Sequence, residues 1–175
     1  MPNGGLLNMP DKDVVTLLNE LTAPVKQLIV SSNFPDDVTP DCLYEAVRAY
    51  PELGGKMMRP GLVLGACGMF AQELMSVALP VAAAAEIFHG WTLVHDDIID
   101  NDDLRRGKPS THRLVAQRTD AAADVSRKFG VDMAILAGDI QKEWSNMLIL
   151  EAETPAAVKI AILKRLNGFI GPQLI

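Results

Sequence analysis

Apolar residues recur at helical spacing close to the start of the chain. Within residues 14–30 they occupy Val14, Leu17, Leu18, Leu21, Val25 and Leu28. These positions follow the 3.6-residue period of one helix face, and no run of strict alternation competes with them. The pattern predicts a first helix over residues 14–30.

Two Thr-Pro pairs predict where other helices begin. Thr39, Pro40 and Asp41 offer a capping hydroxyl, a first-turn proline and an acid at the positive end of a helix dipole. We expect this helix to run to about Tyr50. The pair at residues 154–155 predicts another helix start by the same device.

The rest of the chain also has helical patterns. We expect a glycine-containing loop at 53–60, helices at 60–72, 80–100 and 131–150, and an irregular connection at 107–120. No segment predicts a convincing strand, and abundant Ala, Leu and Met favour helices. The predicted fold class is all-α, a helical bundle with its site on inward-facing helices, formed by one domain over residues 1–175.

Composition narrows the possible functions. The chain has 175 residues, of which 49% are hydrophobic, so it can bury a real core. A net charge of −6 argues against nucleic acid as the main partner, because nucleic acid is bound mainly by clustered Lys and Arg. Cys42 and Cys67 are too few for a disulfide framework and form no zinc pattern.

The sequence offers no membrane or export signal. Its most apolar stretch, residues 76–88, contains Pro80 and Glu86 and is shorter than the roughly 20 residues that cross a bilayer. Residues 1–10 lack a basic region followed by an apolar one. We therefore expect a cytoplasmic protein without a transmembrane segment.

A cluster of acids follows the apolar helical run. Five acids lie within residues 96–103: Asp96, Asp97, Asp100, Asp102 and Asp103. On a helix, Asp96 and Asp100 share a face, Asp103 lies close to the same line, and Asp97 points elsewhere. Converging carboxylates repel unless a cation or proton relieves them, and hard oxygen ligands select magnesium. The predicted metal ligands are Asp96 and Asp100.

The alternative for this cluster is a solvated acidic helix end, the commoner fate of acid runs. Acids at a helix C-terminus oppose the helix dipole, however, so that arrangement has its own electrostatic cost. Arg105, Arg106 and Lys108 follow directly, with Gly107 between them. Surface ion pairs would contribute only about 0 to 1 kcal/mol each. A magnesium-diphosphate complex accounts for both signs of charge.

A second candidate anion site lies upstream, at residues 54–60. Two glycines allow close approach of the backbone, Lys56 and Arg59 supply charge, and Pro60 can begin a helix. The motif is weak by itself, because it lacks P-loop spacing. His89 lies seven residues before Asp96, on nearly the same helix face. A lone histidine is more often structural, but this position favours diphosphate binding.

Three motifs in this order resemble a known family. GGKMMRP at 54–60, HGWTLVHDDIID at 89–100 and LRRGKPSTH at 104–112 are together similar to the trans-isoprenyl diphosphate synthases, or polyprenyl synthetases. The resemblance runs from about residue 46 to residue 139 and supports the helical fold.

The resemblance implies a role for individual residues. Asp96, Asp97 and Asp100 match the aspartate-rich motif that binds magnesium bridging to an allylic diphosphate, and Arg105 matches an arginine on that diphosphate. Residues that match the site for isopentenyl diphosphate are Lys56, Arg59, His89 and Arg106. The implied catalytic residues are Asp96, Asp100 and Arg105, and the implied assembly is a homodimer.

The implied reaction is a prenyl transfer. Magnesium and arginines neutralise the departing diphosphate, an allylic carbocation forms, and isopentenyl diphosphate attacks it. A bulky residue five positions before the first aspartate tends to shorten the product in this family, and Trp91 stands there. Ideal helix geometry places Thr92 and Phe88 nearer the carboxylate face. We expect a C15 to C20 product.

Two features depart from the family pattern. Met57 stands where the basic loop often has an arginine, and the family's second aspartate-rich motif and Lys-Thr pair lie beyond residue 175. Only residues 171–173 loosely resemble the helix that precedes that motif. We therefore expect a fragment of a longer synthase that is inactive by itself.

Other functions remain open at this point. A non-catalytic subunit of a prenyl synthase would keep the fold and one diphosphate site. A class I terpene cyclase would share the aspartate motif but needs no site for isopentenyl diphosphate. A purely structural helical protein is the remaining possibility.

Overall fold

The computed structural model describes residues 13–34 and 37–173, and their architecture is helical. The described chain contains seven α-helices: α1 (Val14–Ser31), α2 (Asp41–Leu53), α3 (Met58–Phe70), α4 (Met75–Ile99), α5 (Thr111–Ala116), α6 (Ala123–Glu151) and α7 (Ala156–Arg165). A 3₁₀ turn, Gln72–Leu74, precedes α4. A π-helical turn, Leu166–Ile170, and a 3₁₀ turn, Gly171–Gln173, follow α7. The predicted all-α class is confirmed.

A short hairpin that the sequence pattern missed follows α4. Strands β1 (Leu104–Arg105) and β2 (Lys108–Pro109) pair antiparallel around Arg106 and Gly107. Both turn residues have positive φ, 56° and 77°, as a type I′ turn requires. Strands of two residues are too short to show an alternating pattern, which explains why no strand was predicted.

Several helix boundaries differ from the prediction. Helix α4 begins at Met75 instead of residue 80, and Pro80 lies inside it. Helix α6 begins at Ala123, and the expected irregular connection contains β2 and α5. Gly130 lies inside α6. A larger residue would not fit there, because a Cβ would come within 2.2 Å of the His112 carbonyl oxygen. This glycine allows α5 to pack closely on α6 without ending the helix.

The predicted threonine caps are not observed. Helices α2 and α7 begin directly after Pro40 and Pro155, and neither has a side-chain cap. Helix α1 is capped instead by Asp13, whose Oδ1 accepts a hydrogen bond of 2.8 Å from the Thr16 amide. Proline therefore marks the helix starts correctly, whereas the preceding hydroxyl does not contribute.

Helix α4 is the central element of the core. It packs against α6 and α3 most extensively and also against α1 and α5. Three consecutive small residues on α4, Ala82–Ala84, are buried and allow a close approach of α6. There, the Ser145 hydroxyl donates to the Ala84 carbonyl at 2.9 Å, and the Gln141 amide donates to the Val47 carbonyl of α2 at 2.7 Å.

The central position explains the apolar composition of α4. The helical segment 72–99 is long and apolar enough by composition to cross a membrane. It contains the buried carboxylic acid Glu86, and it packs against α1, α3, α5 and α6, which cover part of its apolar surface. A helix that is apolar on all sides is typical of a core surrounded by other helices.

A buried arginine connects α1, α2 and α6. Arg48 of α2 donates hydrogen bonds to the carbonyls of Ile29, Val30, Ser32 and Phe34 around the end of α1, at 3.0 to 3.2 Å. Its guanidinium also pairs with Glu52 and lies 5.4 Å from the centre of the Trp144 ring. These bonds satisfy carbonyls that a helix end leaves without partners.

We predict that Arg48→Met lowers the free energy of unfolding by about 2 to 4 kcal/mol, since the substitution leaves several carbonyls unpaired in a largely buried place. Urea denaturation followed by circular dichroism measures this change. Arg127→Met, at an exposed position on α6, is the control, and we expect a change within about 0.5 kcal/mol. Equal stabilities of the two variants would contradict the capping role.

Candidate functional site

The two carboxylates predicted to bind metal lie together at the exposed end of α4. Asp96 and Asp100 are both exposed, and the Asp100 amide donates to the Asp96 carbonyl at 2.8 Å, so the two residues are one helical turn apart. Asp103 does not continue this face, because α4 ends at Ile99. Its carboxylate instead accepts a hydrogen bond of 2.6 Å from Arg113 Nε. The expected alignment of Asp103 with Asp96 was therefore wrong.

Asp97 points away from the face of Asp96 and Asp100, as predicted, and the structure shows that it points into the protein. Its side chain is 0% exposed, and its two oxygens have different partners. Oδ1 accepts from Arg105 Nε at 2.7 Å and from Arg105 Nη2, and Oδ2 accepts from the Tyr50 hydroxyl. Asp97 therefore holds an arginine of the hairpin and a tyrosine of α2 on one buried carboxylate.

Tyr50 joins a third element to this contact. Its hydroxyl oxygen accepts a hydrogen bond of 3.1 Å from the Thr111 amide at the start of α5. Burial, together with the hydrogen bond to Asp97 and the charge of that carboxylate, raises the pKa of Tyr50 to about 12. The phenol therefore stays protonated and donates to Asp97 at physiological pH.

Arg105 lies between buried and exposed carboxylates. Besides Asp97, its Nη2 lies 3.3 Å from Asp96 Oδ2 and 3.7 Å from Asp102 Oδ2. The hydrogen bond to Asp97 raises the pKa of Arg105 above its usual value. The arginine predicted to contact an allylic diphosphate is thus placed directly beside a predicted magnesium ligand.

Arg106 connects the hairpin to the upstream basic loop. Its Nη1 donates to the Gly54 carbonyl, 52 residues away in sequence. A Cβ on Gly55 would lie 2.7 Å from Arg106 Nη2, so glycine leaves the space that the guanidinium occupies. The first and third sequence motifs are therefore in direct contact.

His89 lies in a positive electrostatic environment. Burial and the charges of Arg59, Arg106 and Arg105 lower the pKa of His89 to about 4. Three of the predicted diphosphate-binding cations therefore act on one imidazole. Because this histidine is neutral at pH 7, it can contribute a hydrogen bond to an anion but no charge.

Sequence reasoning missed Glu86 as part of the same region. Burial raises the pKa of this carboxyl, while Arg106, Arg59 and Lys26 oppose that effect. Glu86, His89, Tyr50 and Arg106 line one small cavity. An acid inside the apolar run of α4 was a visible signal in the sequence, but its partners come from distant elements.

The remaining members of the basic loop have different environments. Lys56 and Arg59 are exposed, as a site for a soluble anion needs. Met57 has φ of 52° and is 2% exposed within the main core. The departure at Met57 therefore adds an apolar contact to the core at a position that does not face solvent.

The exposed carboxylates fit magnesium better than a metal held by protein alone. Among residues 13–34 and 37–173, no group of three His, Cys, Asp or Glu side chains could hold an ion. Asp96 and Asp100 offer hard oxygen ligands on one exposed face, beside Arg105. Magnesium prefers such a pair, with waters and ligand phosphates completing its coordination.

The residues predicted to set product length differ in their surroundings. Trp91 lines an open cavity of about 570 Å³ between α4, α6 and the segment after α1. Phe88 is 3% exposed and packs edge-on against Trp91, with ring centres 5.0 Å apart. The Thr92 hydroxyl donates to the His89 carbonyl at 2.8 Å. Trp91 and Thr92 are both half-buried, and of the three residues only Trp91 lines this cavity.

Comparisons with known proteins agree with the predicted family. The family model for polyprenyl synthetase matches residues 40–167. A farnesyl diphosphate synthase from Geobacillus stearothermophilus is 37% identical over 139 residues, which cover 77% of this chain and 42% of that relative. The chain thus spans less than half the length of this curated relative.

Solved structures have the same helical arrangement. A geranylgeranyl pyrophosphate synthetase from Pyrococcus horikoshii is similar with a TM-score of 0.65 and 33% identity, covering 88% of this chain and 42% of that one. A geranylgeranyl pyrophosphate synthase from Corynebacterium glutamicum, solved with isoprenyl diphosphate and magnesium, has a TM-score of 0.72 and 27% identity, covering 93% and 50%.

The lowered pKa of His89 gives a prediction about the dependence of stability on pH. We expect its pKa at about 4 in a nuclear magnetic resonance titration of imidazole signals. Because the unfolded state binds this proton from about pH 6.5 downward, the contribution of His89 to stability is complete above that pH. It is lost as pH falls towards 4.

Substitution of one arginine tests the cause of this pKa. Arg106→Met should raise the pKa of His89, whereas Lys108→Met, at an exposed position on the same hairpin, should leave it unchanged. A His89 pKa near 6.5 in the unsubstituted protein would show that the predicted convergence of cations is absent.

Proposed function

The chain belongs to the polyprenyl synthetase family, and we propose that it supplies the diphosphate-binding half of a trans-prenyltransferase. In this proposal the enzyme condenses isopentenyl diphosphate with an allylic diphosphate, with magnesium as cofactor. Because the chain spans less than half of its curated relative, the activity, the substrates and a homodimeric assembly are part of the proposal.

The observation that carries the proposal is the meeting of three separate motifs. Exposed acids Asp96 and Asp100 lie beside Arg105, while Arg106 of the same hairpin contacts Gly54 in the basic loop. The structure therefore has two neighbouring charged groups, the carboxylates with Arg105 and the basic loop with Arg106. Such a pair suits two diphosphates, one bridged to the carboxylates by a cation and one held by cations directly.

Arg105 is oriented for the first diphosphate. Its Nε and Nη2 donate to Asp97, and no described residue accepts a hydrogen bond from its Nη1. A guanidinium has five N–H donors in a fixed plane, so the remaining donors can bind phosphate oxygens while Asp97 fixes the plane. Asp97 acts in this proposal as a positioning residue for Arg105.

The second diphosphate would lie against the basic loop. Lys56 and Arg59 are exposed there, and Arg106 and neutral His89 complete the group. A second cationic site supports a two-substrate condensation over cyclisation of a single allylic diphosphate. It also favours a substrate-binding role over a purely structural one.

The reaction would proceed by cleavage of the allylic carbon–oxygen bond. Asp96 and Asp100 would hold a magnesium ion, which supplies charge neutralisation to the departing diphosphate. Arg105 stabilises the same developing charge through its N–H groups. The double bond of isopentenyl diphosphate attacks the allylic cation, and the proton that is then lost passes to the released diphosphate. No side-chain nucleophile takes part.

The product is proposed to be C15 to C20. Trp91 lies five residues before Asp96, and its ring lines the cavity on the α6 side of α4. A hydrocarbon tail that starts at the carboxylates and follows α4 would reach this indole after about 7.5 Å of helix, at 1.5 Å per residue. Such a bulky ring limits the length of tail that fits.

The carboxylate site is tested by binding. We expect the unreactive thiolodiphosphate analogue of farnesyl diphosphate to bind in the presence of Mg²⁺, as measured by calorimetry. Asp96→Asn combined with Asp100→Asn should weaken this binding more than about tenfold, or 1.4 kcal/mol, because the metal bridge is lost.

Asp120→Asn is the matched control, since Asp120 is exposed and lies away from the end of α4. Isopentenyl diphosphate should bind both variants as it binds the unsubstituted protein. Analogue binding that is independent of both magnesium and the two aspartates would contradict the proposed function, and absent isopentenyl diphosphate binding would favour a cyclase.

A further inference from the structure

A lysine from α6 lies over the two aromatic side chains of α4. Lys142 Nζ is 5.2 Å from the centre of the Phe88 ring and 5.5 Å from the centre of the Trp91 ring. Both distances are within the range of cation–π attraction. The two rings meet edge to face, so a single ammonium contacts a preformed aromatic pair.

The ammonium is fixed from its other side as well. Asn167, in the π-helical turn, accepts a hydrogen bond from Lys142 Nζ through its side-chain oxygen. The Asn167 amide nitrogen donates to the Leu163 carbonyl at 3.0 Å and to Asn146 Oδ1 at 3.1 Å. Lys142 is thus held between the aromatic pair and an anchored amide, although lysine side chains usually extend into water.

This contact lies at the wall of the open cavity. Trp91 and Lys142 both line it, together with the apolar side chains of Phe34, Val38 and Ile140. Asp139 lines it too, and its carboxylate is 3.8 Å from His95, the residue before Asp96. Through Asp139 the cavity therefore reaches a residue of α6 that contacts the neighbour of Asp96, and Trp91 forms part of its wall.

Phe88 can move little behind this wall. It is 3% exposed, and Gly171 of the last 3₁₀ turn lies close enough that a Cβ there would be 3.8 Å from Phe88 Cζ. Trp91 packs against this fixed ring, and Lys142 covers both. The indole is therefore held by Phe88 on one side and by the ammonium on another, and the His95 ring also packs against it, with ring centres 5.9 Å apart.

We propose that Lys142 is a specificity-determining residue that fixes Trp91 against Phe88 and so sets the length of hydrocarbon tail that the cavity accepts. The proposal rests on the proposed function, because the tail belongs to the allylic diphosphate bound at Asp96 and Asp100. From the sequence, control of tail length was assigned to residues of α4 alone, and this proposal adds a residue from α6.

The test compares tails of different length on the same diphosphate. Thiolodiphosphate analogues with C10, C15 and C20 tails are titrated with Mg²⁺ into the unsubstituted protein and into Lys142→Ala by calorimetry. We expect Lys142→Ala to improve the affinity for the C20 analogue relative to the C10 analogue by about tenfold. Alanine keeps the helix intact, so the fold of α6 is preserved.

Three further variants isolate the cause. Lys142→Arg keeps a cation that stacks on aromatic rings and should retain the unsubstituted ratio of affinities. Lys128→Ala makes the same change at an exposed position of α6 and should also retain it. Trp91→Ala should produce the shift by itself, and adding Lys142→Ala to it should change the ratio by less than about twofold.

A readout without ligand checks the contact itself. Trp144 is 0% exposed, so quenching of fluorescence by acrylamide reports mainly on Trp91. Lys142→Ala should increase this quenching, and Lys142→Arg should not.

The outcomes separate the two proposals. If Trp91→Ala shifts the ratio but Lys142→Ala weakens all three analogues equally, Lys142 has only a structural role and the inference is wrong. Unchanged quenching in Lys142→Ala would also overturn it. If no analogue binds the unsubstituted protein, the proposed function fails, and the assignment of Lys142 fails with it.

Discussion

The buried carboxylate of Asp97 is the contact on which the arrangement of the site depends. It lies at 0% exposure and joins Tyr50 of α2 to Arg105 of the hairpin, while Tyr50 also accepts from the start of α5. A buried carboxylate without such partners would be strongly destabilising. The requirement to satisfy this one charge therefore brings α2, α4, α5 and the hairpin together, and it places Arg105 beside Asp96.

Local sequence patterns predicted the features that depend on nearby residues. The spacing of Asp96 and Asp100 predicted one helix face, and the same geometry predicted that Asp97 points away from it, although not that it is buried. The all-α class followed from helical periodicity and composition. The motifs also identified the family, since three short segments in fixed order are more specific than any one of them.

Features that depend on distant residues could not be predicted in this way. The contact between Arg106 and Gly54 spans 52 residues, and nothing in either segment alone indicates it. The neutral state of His89 results from burial together with three arginines that come from two other elements. Local reasoning also failed at Asp103, because it extended α4 beyond Ile99, where the chain turns to form the hairpin. The metal ligands and substrate contacts stay predictions.

The hairpin has a further consequence for how two ligands would influence each other. Arg105 and Arg106 are consecutive residues of one short turn, yet one contacts the carboxylates of α4 and the other contacts the backbone of the basic loop. A ligand that displaced the turn at one of these two arginine contacts would also shift the arginine at the other contact. Thermodynamic reciprocity requires the two effects on affinity to be equal, so under the proposed function any coupling between the two sites would pass through this six-residue segment.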